Sequence, residues 1–222
     1  METLRDFLDT LRRDEDVRAV VLQATGRSFS SGFDLTTSLR VAGTDGASPR
    51  AEVILQKLCD ELEAFPLPTV CALNGGVYGG ATDLALACDF RIGTMACKLR
   101  MPAAQLGICF YPSGLRRYVT RLGLGVSKRL FLAGEEMNAE ELAKAGFLDR
   151  LVPDSEDLVN EVERLVKRLV LLPRIAGEHT KRSLNHAAHQ TLDGTSGDLA
   201  FRQSLESAEF ADALQAWSQR KS

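Results

Sequence analysis

Two glycine-bearing turns hold the residues best suited to chemistry in this 222-residue chain. One is Phe29-Ser30-Ser31-Gly32-Phe33-Asp34-Leu35, and the other runs Asn74-Gly75-Gly76-Val77-Tyr78-Gly79-Gly80-Ala81-Thr82-Asp83-Leu84. Glycine admits positive φ and lets a ligand approach the backbone amides closely. Where such a turn opens a helix, N–H groups without helical partners and the helix dipole face whatever binds there. One amide from each turn, converging on a carbonyl oxygen, would stabilise it as an oxyanion, with each donor worth ~3–4 kcal/mol. The alternative is that both are simply tight turns. Neither matches G-x-G-x-x-G or G-x-x-x-x-G-K-[ST], so a nucleotide loop is the weaker reading.

The elements that must position these turns follow from periodicity. Leu4, Phe7, Leu8 and Leu11 share one helical face. Val17 to Thr25 is a β-branched apolar run that predicts a buried strand, and it leads directly into the first turn. Residues 36–50 are polar and aperiodic, which predicts an exposed loop. Ile54, Leu58 and Leu62 predict a helix over 51–65 that Pro66 and Pro68 stop. Thr69 to Leu73 is a short strand running into the second turn, 82–87 a compact helix, and 89–94 another strand. Helices follow over 115–146. Asn138 with Glu141 has the spacing of a capping box, which starts a helix at Ala139. Residues 147–153 read as a last strand, and from Glu156 onward the pattern is helical. This predicts an α/β core over 1–154 and a C-terminal helical region over 155–222.

Taken together, the segments resemble the crotonase (enoyl-CoA hydratase/isomerase) superfamily. FSSGFDL is similar to its F-S-A-G-x-D-L turn, and NGGVYGGATDLALACDFRI to its N-G-x-x-x-G-G-G-x-E-L-A-x-x-C-D-x-R-I segment. PAAQLGI and GEEMNAEELAKAGFLDRLVP resemble two further family stretches, in order and at the right intervals. The resemblance implies a ββα spiral core with a C-terminal helical region used for oligomerisation. It also implies that the family strands ordinarily preceding the first helix are missing, leaving an exposed sheet edge.

In function, the resemblance implies an acyl-CoA substrate, coenzyme A entering only as part of it. The thioester carbonyl would be held by the amides of Phe33 and Gly80. Ser31, Gly32 and Gly79 would shape the substrate-binding turns. Of the two glutamates that family hydratases use on water, the first falls at Asp83 and the second at Ala103. Asp83 would then be the lone acid/base, although an acid in a first helical turn also has a purely electrostatic use. A positioned acid or base contributes ~10²–10⁴ in rate, so losing the second carboxylate leaves the exact reaction open. Decarboxylation, thioester hydrolysis and a catalytically degenerate acyl-CoA-binding subunit are the alternatives, and a serine peptidase ranks below them.

Tyr111 is a substrate-contact candidate near a tyrosine of some family decarboxylases, although a gapless comparison puts that tyrosine nearer Phe110. Core packing is its alternative. Cys109 has no neighbouring histidine to make it a nucleophile, and Asp34 is read as structural. Arg27, Lys181 and Arg182 are candidates for coenzyme A phosphates, with an ordinary surface role as the alternative. His179, His186 and His189 are spaced to share a helix face. They lack accompanying Cys or acid ligands, so a solvated face is expected and no metal. A homotrimer or hexamer is the expected assembly.

Composition bounds the rest. The chain is 45% hydrophobic and 26% charged, with a formal charge of -3. That lacks the basic footprint of a nucleic-acid binder, and no apolar run approaches the ~18–20 residues of a membrane span. The opening METLRDFLDTLRRDED carries acids in its first turns, so no targeting peptide is expected. Five cysteines without a CxxC pair read as reduced thiols in a cytoplasmic protein.

Overall fold

The structure is a computed structural model that describes residues 2–32 and 51–190, together with residues 203, 208, 210 and 212. The expected loop over 36–50 and most of the C-terminal apolar stripes lie outside the described residues. So do Phe33 and Asp34.

Helix α1 (Glu2–Arg13) precedes β1 (Val20–Gln23) and β2 (Ser28–Ser30). Helix α2 (Ala51–Glu63) leads to β3 (Thr69–Leu73) and β4 (Gly76–Tyr78), then α3 (Ala81–Ala87), β5 (Phe90–Thr94) and β6 (Lys98–Arg100). A 3-10 turn (Ala104–Leu106), α4 (Pro112–Lys128), a π-helical turn (Arg129–Ala133), β7 (Glu136–Asn138), α5 (Ala139–Lys144) and β8 (Arg150–Val152) follow. Helices α6 (Ser155–Leu169) and α7 (Arg174–Ala188) come last.

Each of the first three strand pairs places one strand in each of two sheets. The first sheet has the order β1-β3-β5-β8, all parallel, and the second has the order β2-β4-β6-β7. Among the described residues only the β6–β7 pair is antiparallel. Three corners where the chain crosses between sheets are bonded to one another. Asn74 Nδ2 donates to Gly26 O at 2.6 Å, and Thr94 Oγ1 donates to Asn74 O at 3.2 Å. A side chain at Gly75 would fall 2.2 Å from Arg27 O, so that crossing requires glycine.

The core alternates with strand period. Val70 and Ala72 of β3 pack with Ile92, Leu158 and Val162 beneath α6. Cys71 and Leu73 face the main core with Leu58, Leu62, Phe65 and Leu86. The capping box forms as expected: Asn138 Oδ1 accepts from Glu141 N–H, and Glu141 Oε2 from Asn138 N–H, both at 3.0 Å. The helical pattern beyond Glu156 is divided: one helix ends at Leu169, and Pro173 stands at the N-cap of the next. The expected strand over 147–153 contracts to Arg150–Val152, with Phe147 and Leu148 buried in the main core. The four three-residue strands of the second sheet were not among the expected elements. Three residues are too few to show an alternation.

Among the described residues no helix is long and apolar enough to cross a membrane.

Candidate active site

Strands β2 and β4 are parallel neighbours in the second sheet, with Ser28 opposite Gly76 and Ser30 opposite Val77. The two glycine turns therefore leave the sheet side by side. Gly32 and Gly79 both have positive φ, +91° and +55°. A Cβ on Gly32 would sit 3.0 Å from Tyr78 O, and one on Gly79 would be 3.9 Å from the Gly32 Cα. Positive φ favours glycine at both positions, and at Gly32 the Tyr78 carbonyl also leaves little room for a side chain. The Gly79 N–H is committed to Arg100 O at 2.9 Å, and Thr82 N–H and Oγ1 both donate back to Gly79 O. The next N–H along is that of Gly80, the N-cap of α3. Ser31, Gly32, Gly79 and Gly80 line a cavity of about 310 Å³ whose remaining walls are mostly apolar, Leu55, Met101 and Ile108 among them. Ala103, the position without its carboxylate, is in that wall as well.

Asp83, in the first turn of α3, is fully buried and does not line the cavity. Its Oδ1 accepts from Arg117 Nε at 2.9 Å and its Oδ2 from Arg117 Nη2 at 2.7 Å. The same Oδ2 accepts from the Tyr111 hydroxyl at 2.5 Å, and Tyr111 is a cavity wall. Tyr111 thus stands between Asp83 and the space a substrate would fill. Arg117, also fully buried, uses Nη1 on Asp60 Oδ1 at 2.8 Å and Glu63 Oε2 at 3.0 Å. Burying a guanidinium is costly unless its donors are matched by acceptors, and here both ends of the fork are matched.

The electrostatics follow. Burial works against the Arg117 charge, but the hydrogen bonds and charges of Asp83, Asp60 and Glu63 outweigh it and raise its pKa further. Burial, with Cys59 and Asp83 alongside, pushes the Tyr111 phenol far above its ordinary range, so it stays protonated. The buried Cys59 thiol is pushed up too, by desolvation first and then by Asp83. Phe110 stacks on Tyr111 with ring centroids 4.3 Å apart, which fixes the plane of the phenol. The Tyr111 hydroxyl donates to Asp83 and lies beside the Cys59 thiol.

Other expected site residues are dispersed. Arg27 is exposed and is not among the cavity residues. Lys181 lines a different cleft, of about 400 Å³, and is held by Asp89 at 2.7 Å and Leu67 O at 3.0 Å. Arg182 lines that cleft too, its Nη2 meeting His179 Nδ1 at 3.1 Å, while His189 Nε2 lies 3.5 Å from Glu63. Among the described residues no group of three or more His, Cys, Asp or Glu is placed to hold a metal ion. Cys109 is exposed at the cavity wall. Arg117 and Arg100 escaped the sequence reading. Arg117 did leave a trace: it lies on the face of α4 that carries Gly114, Tyr118 and Leu122, where an unpaired cation would not be tolerated.

Comparison with known proteins places the chain in a family. The family model for enoyl-CoA hydratase/isomerase matches residues 1–220. A glyoxysomal fatty acid beta-oxidation multifunctional protein of Cucumis sativus is 32% identical over 85% of this chain, which spans only 25% of that protein's length. A short-chain-enoyl-CoA hydratase of Clostridium acetobutylicum is 24% identical over 99% of this chain and 85% of its own. The crystal structure of an enoyl-CoA hydratase from Bacillus anthracis superposes with a TM-score of 0.86 at 26% identity, covering 99% of this chain and 85% of that one.

Proposed function

We propose a function from one premise: the chain belongs to the enoyl-CoA hydratase/isomerase family. It is an acyl-CoA thioester enzyme in which the Gly80 N–H, together with the amide of Phe33, which lies outside the described residues, polarises the thioester carbonyl. Asp83 handles protons through Tyr111 rather than by touching the substrate. The observation that carries this reading is the buried Tyr111–Asp83–Arg117 chain, whose outer end is a cavity wall beside Gly80.

For a 2-enoyl thioester, the steps balance as follows. Water attacks the β-carbon and gives a proton to Tyr111 Oη while Tyr111 passes its own proton to Asp83. Electrons move to the thioester oxygen, which the two amides hold as an oxyanion. The enolate collapses by taking a proton at the α-carbon along the same path in reverse. Arg117 keeps Asp83 in place between turnovers.

Turnover of crotonyl-CoA, followed by loss of the conjugated enone absorbance, tests this. Asp83→Asn and Tyr111→Phe should each lower the rate by ~10²–10⁴ with coenzyme A binding retained. Circular dichroism checks that the buried Asp83→Asn variant is folded, and Tyr111→Phe keeps the test open if it is not. Full rate in Tyr111→Phe would sink the relay. Binding without turnover in the wild type would favour a degenerate acyl-CoA-binding subunit.

One observation favours a second reading. Among the described residues no Asp, Glu or His lines the cavity, and decarboxylation of a malonyl-type thioester needs no base. Carbon dioxide would leave, the amides would hold the enolate, and Tyr111 would give the α-carbon a proton that it regains from solvent water. Release of carbon dioxide from malonyl-CoA, with crotonyl-CoA untouched, would select it. Self-association belongs to the same reading: Leu171, Leu172 and Leu184 are exposed apolar side chains on or beside α7. Light scattering at micromolar concentration should then exceed the monomer mass.

A further inference from the structure

Arg100 is the charged residue of the cavity wall that the proposed chemistry does not use. It ends β6, and its carbonyl accepts the Gly79 N–H, which ties its backbone to the turn presenting Gly80. Among the described lining residues it is the one charged side chain. The other arginines near the site are matched by carboxylates: Arg117 by Asp83, Asp60 and Glu63, and Arg116 and Arg121 by Glu63. Arg100 instead donates from Nη2 to the neutral carboxamide of Gln105 at 3.2 Å. Arg100 is exposed, and among the described residues no carboxylate forms an ion pair with it: Glu136, opposite it in the β6–β7 register, pairs with Lys98.

The holder is itself built into place. Gln105 Nε2 is directed at Ala133 O, 3.5 Å away, and the carboxamide fills the space over Gly134. Gly134 has φ +63°, and a Cβ there would fall 2.1 Å from Gln105 Nε2. The absent side chain at 134 therefore makes room for the group that steadies Arg100. A steadied guanidinium on a largely apolar wall suits one class of ligand group, a carboxylate, which it meets with two parallel N–H bonds.

We propose that Arg100 reads a carboxylate on the acyl group, so that the preferred substrates are monothioesters of dicarboxylic acids. This rests on the acyl-CoA reading above and narrows its substrate class. The acyl group, rather than the coenzyme A phosphates, supplies the anion. Arg100 flanks the turn that holds the thioester carbonyl, and the whole pantetheine arm separates that carbonyl from the phosphates.

Titration calorimetry of glutaryl-CoA and butyryl-CoA into the wild type and Arg100→Ala provides the test. The wild type should prefer glutaryl-CoA, and the variant should lose that preference by ~tenfold or more, as expected for a charge-assisted hydrogen bond. Arg100→Gln, of similar bulk, carries the same expectation if the alanine variant does not fold. An equal loss on both thioesters would assign Arg100 to the coenzyme A portion and overturn the proposal, as would an unchanged ratio. Wild type binding both without preference sinks the role of Arg100 alone. Wild type binding neither removes the acyl-CoA reading with it.

Discussion

The two sheets share a chain but divide its tasks. In the first sheet the strands run four or five residues except at the β8 edge, and β3 is buried throughout. Its side chains alternate between the main core and the α6 layer. The second sheet is made of three-residue strands, and its strand ends carry Gly32, Gly79 and Arg100, the residues that shape the cavity. A long apolar strand gains stability from burial and gives little freedom to its ends. A short one contributes little burial but sets where two turns meet. The scaffold and the site are thus separable in principle, and substitutions should separate them.

The largest effect should come from the ion cluster behind the second sheet. Arg117→Ala would leave Asp83 buried without its ion-pair partner, a loss of about 3–5 kcal/mol. Chemical denaturation should show it, and turnover of the surviving folded fraction should fall as well. A stable, fully active Arg117→Ala would mean that Asp83 is not held as described. Next is Gly32→Ala. An alanine at φ +91° costs about 1–2 kcal/mol, and its Cβ would press on Tyr78 O, so turnover should drop more than stability does. In the first sheet the order should reverse: Ile92→Val should cost ~1 kcal/mol and leave kcat/KM unchanged. Asn138→Ala removes one half of the capping box for a cost of about 1 kcal/mol, again with activity intact. Asn138 ends β7 in the second sheet, so the division rests on Ile92→Val: altered turnover in that variant would make it wrong.

The smallest effect concerns pH. Burial lowers the His189 pKa below its ordinary 6.5, against the opposing pull of Glu63. The unfolded chain then binds the proton more readily, so stability should fall as pH drops below about 6.5. His189→Asn should flatten that part of the acid limb in a thermal-melt series. A steeper limb would reverse the sign assigned here.

Helix α5 shows what was legible. Its start at Ala139 follows from Asn138 and Glu141 alone, because a capping box closes within four residues. The strands of the first sheet were legible because burial imposes an apolar run long enough to see. The glycine turns were legible as turns, and the resemblance drawn from them reached the right family. Strands β2, β4, β6 and β7 were not legible, since pairing with a distant segment, rather than their own composition, makes three residues a strand.

Asp83 shows the same limit at the level of chemistry. The sequence determined that an acid stands in the first turn of α3, that Ala103 replaces a carboxylate, and that glycines permit two backbones to touch. The tertiary structure alone decided that Asp83 lies out of reach behind Tyr111, clamped by an arginine 34 residues further along. It also decided that Lys181 belongs to another cleft and that Arg100 lines the cavity without an ion-pair partner among the described residues. The physical reason is range. Caps, turns and amphipathic faces are settled within a few residues, whereas burial and ion pairing depend on which distant helix packs over the site.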